Sequence, residues 1–330
     1  MDIANDLPIG RIRGLRACAS ARGTFGVLAL DHRQNLRKEL RPDDPTSVSY
    51  AELVAFKRAV VRELASVATG VLLDPEIGAA QSVVDGSLPA GSGLLVAIEA
   101  TGYDGPSTAR ISRILEGWSV AKAKRMGATA AKLLVYYHPD AANAADQERL
   151  VEAVASDCRA ADLALFVEPL SFSIDPALPR LEGAARRRVV IETARRLTAL
   201  GGDILKAEFP YDPGTTDRGA WRDACAELES ASRVQWVLLS GGVDDTTFEA
   251  QVRVACEAGA SGVLVGRSVW AEAATLDDAD RDRFLQTTGR QRLARLVGLV
   301  DELGVPWDAR PGPLAPAPEP GDGWYRGYAE

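Results

Sequence analysis

Along this chain, short runs of unbroken apolar residues alternate with longer stretches in which apolar residues return every three or four positions. The short runs are FGVLALD (25–31), GVLLDP (70–75), GLLVAIEA (93–100), TAAKLLVYY (129–137), LALFVEPLSF (163–172), DILKAEFP (203–210), WVLLSGGV (236–243) and GVLVGRSVW (262–270). Continuous Val, Leu and Ile without strict alternation predicts parallel strands buried on both faces. The intervening stretches predict helices at 50–68, 108–126, 150–163, 184–200, 244–259 and 280–303. Gly-Ala or Gly-Gly pairs at 127–128, 201–202 and 259–260 mark helix ends. Asp-Asp-Thr-Thr at 244–247 marks a helix start. The link after the second strand, 76–92, carries only a short helical stretch before Gly and Pro.

Eight such β-α units predict an α/β fold, a (β/α)8 TIM barrel. A doubly wound sheet is the rival, but it usually carries a GxGxxG turn after its first strand, and none is present. The first 24 residues are expected to form a helix closing the barrel bottom. The expected organisation is one barrel domain over 1–309 and a Pro/Gly-rich extension over 310–330. Trp324, Tyr325 and Tyr328 in that extension are suited to docking on the body or on a partner subunit, and a homo-oligomer is expected.

Barrel chemistry sits at the C-terminal ends of strands. The polar residues within or at the ends of the apolar runs are Asp31, Asp74, Glu99, Lys132, Glu168, Lys206, Glu208, Ser240 and Arg267. Lysine usage sharpens the choice. Only six of 38 basic residues are lysine, yet Lys132 and Lys206 lie inside apolar strands four and six. Desolvation lowers the pKa of a buried ammonium, and a neutral amine attacks carbonyls where a guanidinium does not. If both lysines point inward, each is expected to depress the other's pKa. Glu168, on the strand between them, is placed to pair with one and move protons for the other. The competing reading is a purely structural Lys–Glu pair. Period two puts Lys206 on one face with Ile204 and Glu208, and Lys132 with Leu134 and Tyr136.

The last two runs end in Ser240-Gly241-Gly242 and Gly266-Arg267-Ser268. Glycines that admit an anion to the backbone, with an arginine fork beside them, suggest a phosphate site on the loops after strands seven and eight. After the first strand, Asp31 is suited equally to binding substrate hydroxyls or a lysine and to capping the next segment.

The chain has 330 residues, a net charge of −8 and an ordinary apolar content of 46%. An acidic surface is a poor match for nucleic acid or anionic membrane. The N-terminus lacks the apolar core of a signal peptide and no run is long enough to span a bilayer, so neither partner is expected. The isolated Cys18, Cys158, Cys225 and Cys256 fit a reducing, cytoplasmic setting. The two histidines, His32 and His138, lack a metal-binding spacing. They are expected to be partly exposed at loops, and no metal is expected.

The blocks LALDHRQNL, AAKLLVYYHPD, LFVEPLSF, DILKAEFP, LLSGGV and GVLVGRSVW, in this order, resemble the class I tagatose 1,6-bisphosphate aldolases and the related sulfofructose-phosphate aldolases over about residues 23–275. The resemblance implies a TIM barrel and a Schiff base on Lys206. It implies Glu168 as acid/base with Lys132 assisting, and no cofactor beyond the covalent imine. Ser240, Gly241 and Arg267 match the family's site for the phosphate of dihydroxyacetone phosphate, and Gly242 and Gly266 flank them. The family's first strand ends in Asp-Gln-Arg, whereas this one ends in Asp31-His32-Arg33 with Gln34 displaced by two places. Asp31 and Gln34 are the substrate-binding candidates there. No basic cluster for a second terminal phosphate stands out.

The expected function is cleavage of a ketose 1-phosphate, of the tagatose 1,6-bisphosphate type or of the sulfofructose 1-phosphate type, to dihydroxyacetone phosphate and an aldehyde. A metal-dependent aldolase or isomerase would need more histidines, and a pyridoxal-phosphate barrel would place its lysine at the end of the first strand. A non-catalytic sugar-phosphate-binding regulator would keep Arg267 and the glycine loops without needing Lys206.

Overall fold

The computed structural model describes residues 8–212, 215, 217–310, 314, 319–321, 323–326 and 328. Eight strands close into a barrel in chain order: β1 Phe25–Leu30, β2 Gly70–Leu73, β3 Gly93–Ala97, β4 Ala130–Tyr136, β5 Ala164–Leu170, β6 Ile204–Ala207, β7 Gln235–Leu239 and β8 Gly262–Val265. Every neighbouring pair is parallel, and β8 pairs back onto β1. The helices are α1 Ile9–Cys18, α2 Gln34–Leu40, α3 Tyr50–Leu64, α4 Ala79–Val84, α5 Val120–Met126, α6 Ala144–Ala160, α7 Gly183–Leu197, α8 Arg218–Ala231, α9 Asp245–Glu257, α10 Arg267–Trp270, α11 Asp278–Phe284 and α12 Arg290–Leu303.

Alternation along each strand divides its residues between two cores. Phe25, Val27 and Ala29, with Leu72, Leu95, Ala130, Ala164, Phe166, Ile204, Val237 and Leu264, fill the barrel interior. The residues between them, such as Leu28, Leu30, Val71, Leu133 and Leu205, pack under the helices. The interior is a packed core, and Phe25 meets Phe166 edge to face at 5.5 Å between centroids.

α1 plugs the bottom, inserting Leu15 and Cys18 into the interior cluster. It seats this deeply because Gly14 and Gly93 lack side chains: a Cβ at Gly14 would fall 2.0 Å from Thr129 O, and one at Gly93 2.4 Å from Ala17 O. Arg11 carries a charge into this plug and pairs with buried Asp203 through Nη2 and through Nε at 3.3 Å. Asp203 Oδ2 also accepts from Leu165 N at 2.8 Å. Burial raises the Asp203 carboxyl's pKa, with Arg11 opposing it.

Three sequence expectations need correction. The 108–126 helix begins only at Val120, where the Ser119 side chain caps Lys122 N. Residues before it form a hairpin in which Glu99 bridges Ile114 and Asp104 bridges Ile111, and Gly117 at φ +72° ends it. The eighth strand stops at Val265, so Arg267 heads a short helix instead of ending a strand. α8 fills a segment with no assigned helix. Trp221, Ala224, Cys225, Leu228 and Ala231 supply its buried stripe, and Asp217 caps it. The expected N-terminal closing helix is α1, and residues 1–7 lie outside the described residues. Within the tail, Trp324 packs on Tyr328 at 5.5 Å, and the Tyr328 hydroxyl donates to Asp162 beside α1.

Arg11→Met removes the cation and leaves the Asp203 carboxylate buried without its charged partner. Loss of one partner of a buried pair costs about 3–5 kcal/mol. The expected outcome is a thermal midpoint several degrees below wild type, read by circular dichroism.

Candidate active site

Strand parity carries the charges inward. Asp31, Lys132, Glu168 and Lys206 each stand two positions beyond an interior residue, respectively Ala29, Ala130, Phe166 and Ile204, and Glu99 stands four beyond Leu95. Five charged residues from β1, β3, β4, β5 and β6 therefore occupy the next layer, above an apolar floor.

Lys132 is the centre of that layer and has no exposed surface (0%). Its Nζ donates to Asp31 Oδ2 at 2.7 Å and to Glu99 Oε1 at 2.8 Å. Glu168 Oε2 lies 2.7 Å away as an ion-pair contact outside the hydrogen-bonding directions. The other Glu168 oxygen, Oε1, lies 2.8 Å from Lys206 Nζ. One carboxylate thus spans the two lysines. Lys206 and Glu168 are 4% and 7% exposed.

The electrostatics correct one expectation. Burial does work against the Lys132 ammonium, but Asp31, Glu168 and Glu99 outweigh it and carry its pKa well above the ordinary lysine range. The expected depression of the Lys132 pKa is therefore reversed in direction. Burial likewise opposes the Asp31 carboxylate, yet Lys132 and Lys206 hold it well below the usual value. Arg33 completes the ring, donating to Glu99 O at 2.9 Å and to Glu76 Oε2 at 2.7 Å. Behind β1, buried Lys57 pairs with Asp74 and donates to Leu30 O at 2.8 Å, which pins the strand end that carries Asp31.

The two glycine loops meet at the rim. Gly241 and Gly242 adopt φ of +56° and +79°, which only glycine takes without strain. A Cβ at Gly242 would lie 3.3 Å from an Arg267 Nη atom, so the guanidinium lies over that turn. Ser240 is half-buried beneath it. At Gly266 a Cβ would fall 2.9 Å from Ala29 O and 3.2 Å from His32 Cε1, so the β8 end needs glycine to approach β1. Arg267 Nη1 lies 3.7 Å from Glu39, a half-exposed pair that leaves most of the fork open.

The remaining candidates separate from this cluster. Gln34 is exposed at the head of α2. Glu208 lies beyond the end of β6, accepting from Ser171 N at 2.7 Å and facing Arg186 at 3.2 Å. His138 is buried at 2% exposure, against expectation, because its Nδ1 accepts from Asp140 N and its ring packs near Phe172. His32 packs edge-on against Trp270 at 5.1 Å. Burial pushes its imidazole down to about 4; Asp31 opposes this, and the charges of Arg267, Lys206 and Lys57 add to it. Sequence reasoning missed Lys57 and Arg33 as supports, because both lie outside the apolar strand runs in which charges stood out.

The domain described as a DeoC/LacD family aldolase matches residues 26–272. The chain is 30% identical over 328 residues to a protein named tagatose 1,6-diphosphate aldolase from Listeria monocytogenes serotype 4a (strain HCC23), covering 90% of this chain and 94% of the relative. It is 31% identical over 313 residues to a protein of the same name from Streptococcus agalactiae serotype V, covering 87% and 94%. Among solved structures, an archaeal fructose 1,6-bisphosphate aldolase superposes with a TM-score of 0.60 at 19% identity, over 89% of this chain and 99% of that one, and so shares the fold.

With its pKa depressed to about 4, His32 stays neutral in the folded chain while the unfolded chain protonates near 6.5. Its contribution to stability is therefore complete above pH 6.5 and lost as the pH falls towards 4. Wild type is expected to lose more thermal stability than His32→Gln across that window, by at most about 3 kcal/mol. Paired melts from pH 7 to pH 4 measure it, and parallel curves would refute it.

Proposed function

The chain belongs to the DeoC/LacD aldolase family, and from that premise we propose that it is a Schiff-base aldolase acting on a ketose 1-phosphate of the tagatose 1,6-bisphosphate type. The observation that carries this reading is the shared carboxylate, with Glu168 2.8 Å from Lys206 Nζ and 2.7 Å from Lys132 Nζ inside the barrel mouth. The names of the curated relatives support the substrate class.

Glu168 takes the proton from the Lys206 ammonium, and the free amine adds to the C2 carbonyl of the ketose. Glu168 returns that proton to the carbinolamine oxygen, which leaves as water and gives an iminium that withdraws electrons from C3. Glu168, again a carboxylate, accepts the C4 hydroxyl proton as the C3–C4 bond breaks, and the aldehyde departs. The bonding pair becomes the enamine. Protonation at C3 and hydrolysis of the imine return dihydroxyacetone phosphate and Lys206. Lys132 holds one Glu168 oxygen at 2.7 Å and leaves the other facing Lys206 at 2.8 Å, which orients the carboxylate for this base role. Arg267, Ser240 and the turns at Gly241-Gly242 and Gly266 are suited to the C1 phosphate, so binding remote from the reacting bond orients it. The scheme needs no cofactor beyond the imine. A non-catalytic sugar-phosphate binder would keep Arg267 and the glycine loops but would not need Lys206 beside Glu168.

Borohydride reduction in the presence of tagatose 1,6-bisphosphate or dihydroxyacetone phosphate is expected to add a three-carbon phosphate fragment to Lys206, located by peptide mass spectrometry. Lys206→Ala is expected to reduce cleavage to background. Glu168→Gln is expected to lower kcat by about 10²–10⁴-fold. Full activity in Lys206→Ala would sink the scheme.

A further inference from the structure

Beside the barrel mouth, a second cavity opens between the ends of β6 and β7 and the helices α7 and α9. Its volume is about 500 Å³, within the range of small-molecule sites. Glu208 and Phe209 reach it from beyond β6, Leu239 and Gly241 from the end of β7, Arg186 from α7 and Gln251 from α9. Lys132, Glu168, Lys206 and Arg267 do not line it, so it is separate from the lysine cluster. Gly241 is shared by this wall and by the glycine turn at the rim.

The residue that calls for a ligand is Gln251. α9 buries a stripe of Phe248, Gln251, Val252 and Ala255, which recur at helical spacing. Glutamine is the polar member of that stripe, and it is 2% exposed. Desolvating an amide is costly, so buried amides are ordinarily hydrogen-bonded. Yet Gln251 Nε2 has no partner among the described residues. The side chain lines the cavity from the second turn of α9, with a donor to offer whatever enters.

The rest of the wall has the opposite character. Both of its arginines are engaged. Arg180 Nε donates to Glu182 at 2.7 Å, while Arg186 faces Glu208 at 3.2 Å and donates through Nε to Phe209 O at 3.3 Å. Asp212 and Asp244 bring further carboxylates, so four acids stand against two paired arginines. Asp244 accepts from Thr247 N at 2.9 Å, and one such bond does not exhaust the acceptor positions of a carboxylate. Leu181 and Val243, both half-buried, add apolar surface.

These demands select the chemistry of the occupant. A cation suits the carboxylates but cannot accept from Gln251. An anion accepts from Gln251 but is repelled by the acidic wall. A hydroxyl both donates and accepts, and it serves either end of an amide. We propose that this cavity binds an uncharged polyhydroxyl molecule, a free sugar or sugar alcohol of about six carbons, held by the Gln251 amide and the Asp244 and Glu208 carboxylates. The site stands or falls independently of the aldolase reading, because none of the groups that hold the ligand takes part in that chemistry.

Saturation-transfer NMR on the intact chain tests the site with sorbitol, which has no carbonyl for Lys206 to capture. Wild type is expected to give a saturable signal, and Lys206→Ala is expected to keep the same affinity. Gln251→Leu keeps the helix stripe apolar and is expected to weaken binding about tenfold, as for one hydrogen bond lost in a dry site. Asp244→Asn retains a helix-capping side chain and removes the charge, and it is expected to weaken binding about threefold without depending on how the buried position tolerates leucine.

Hexamethylenediamine and inorganic phosphate probe the two charged alternatives. The phosphate arm is run in Arg267→Met, so that binding at the neighbouring rim does not enter. Neither probe is expected to displace sorbitol at equal concentration. Absence of a saturable signal in wild type, unchanged affinity in both Gln251→Leu and Asp244→Asn, or displacement by either charged probe would overturn the proposal. Sorbitol binding with this pattern in a chain that cleaves no ketose would leave the site standing and remove the aldolase reading alone.

Discussion

The structure depends on a single buried ammonium. Lys132 has no access to water, and a cation in that position is tolerated only with close counter-charges. Asp31, Glu99 and Glu168 supply them from three strands, and Arg33 and Lys206 balance the excess carboxylate. The ends of β1, β3, β4, β5 and β6 are therefore locked to one another through charge as well as through the backbone ladder. Glu168 keeps its orientation because Lys132 holds one oxygen and leaves the other facing Lys206.

Around that centre the support is graded. Below it lies apolar packing sealed by α1 and the Arg11–Asp203 pair. Behind it, Lys57 and Asp74 fix the end of β1, and Asp74 Oδ2 also accepts from the backbone of Glu76 and Ile77. Above it, the rim is glycine turns and arginines with open forks. This order suits the proposed reaction, in which Lys206 and Glu168 would keep their geometry while an anion enters and leaves. Arg267 is positioned by the glycine turn beside it and is only partly neutralised, by Glu39 at 3.7 Å.

Much of this was legible along the chain. Eight apolar runs separated by helical periods specified the barrel, and Lys132, Glu168 and Lys206 stood out because charge inside such a run is costly. The misreadings share a cause. At 108–119 and at 267–270, the apolar spacing suits more than one backbone shape, and tertiary pairing selected the hairpin in one case and a helical turn in the other.

The sequence alone determined the architecture and which charges lie within or at the ends of its strands, since a charge stands out in an apolar run whatever lies around it; it did not say which face is the interior, and Glu208, grouped with Lys206 by alternation, lies apart from the cluster. The tertiary structure alone decided which partners those charges meet and, for Lys132 and Asp31, the direction in which their pKa values move. Desolvation argued for a neutral Lys132, but three carboxylates brought from distant strands reverse that sign. A pKa is a sum over neighbours, and the chain order does not specify neighbours across a barrel.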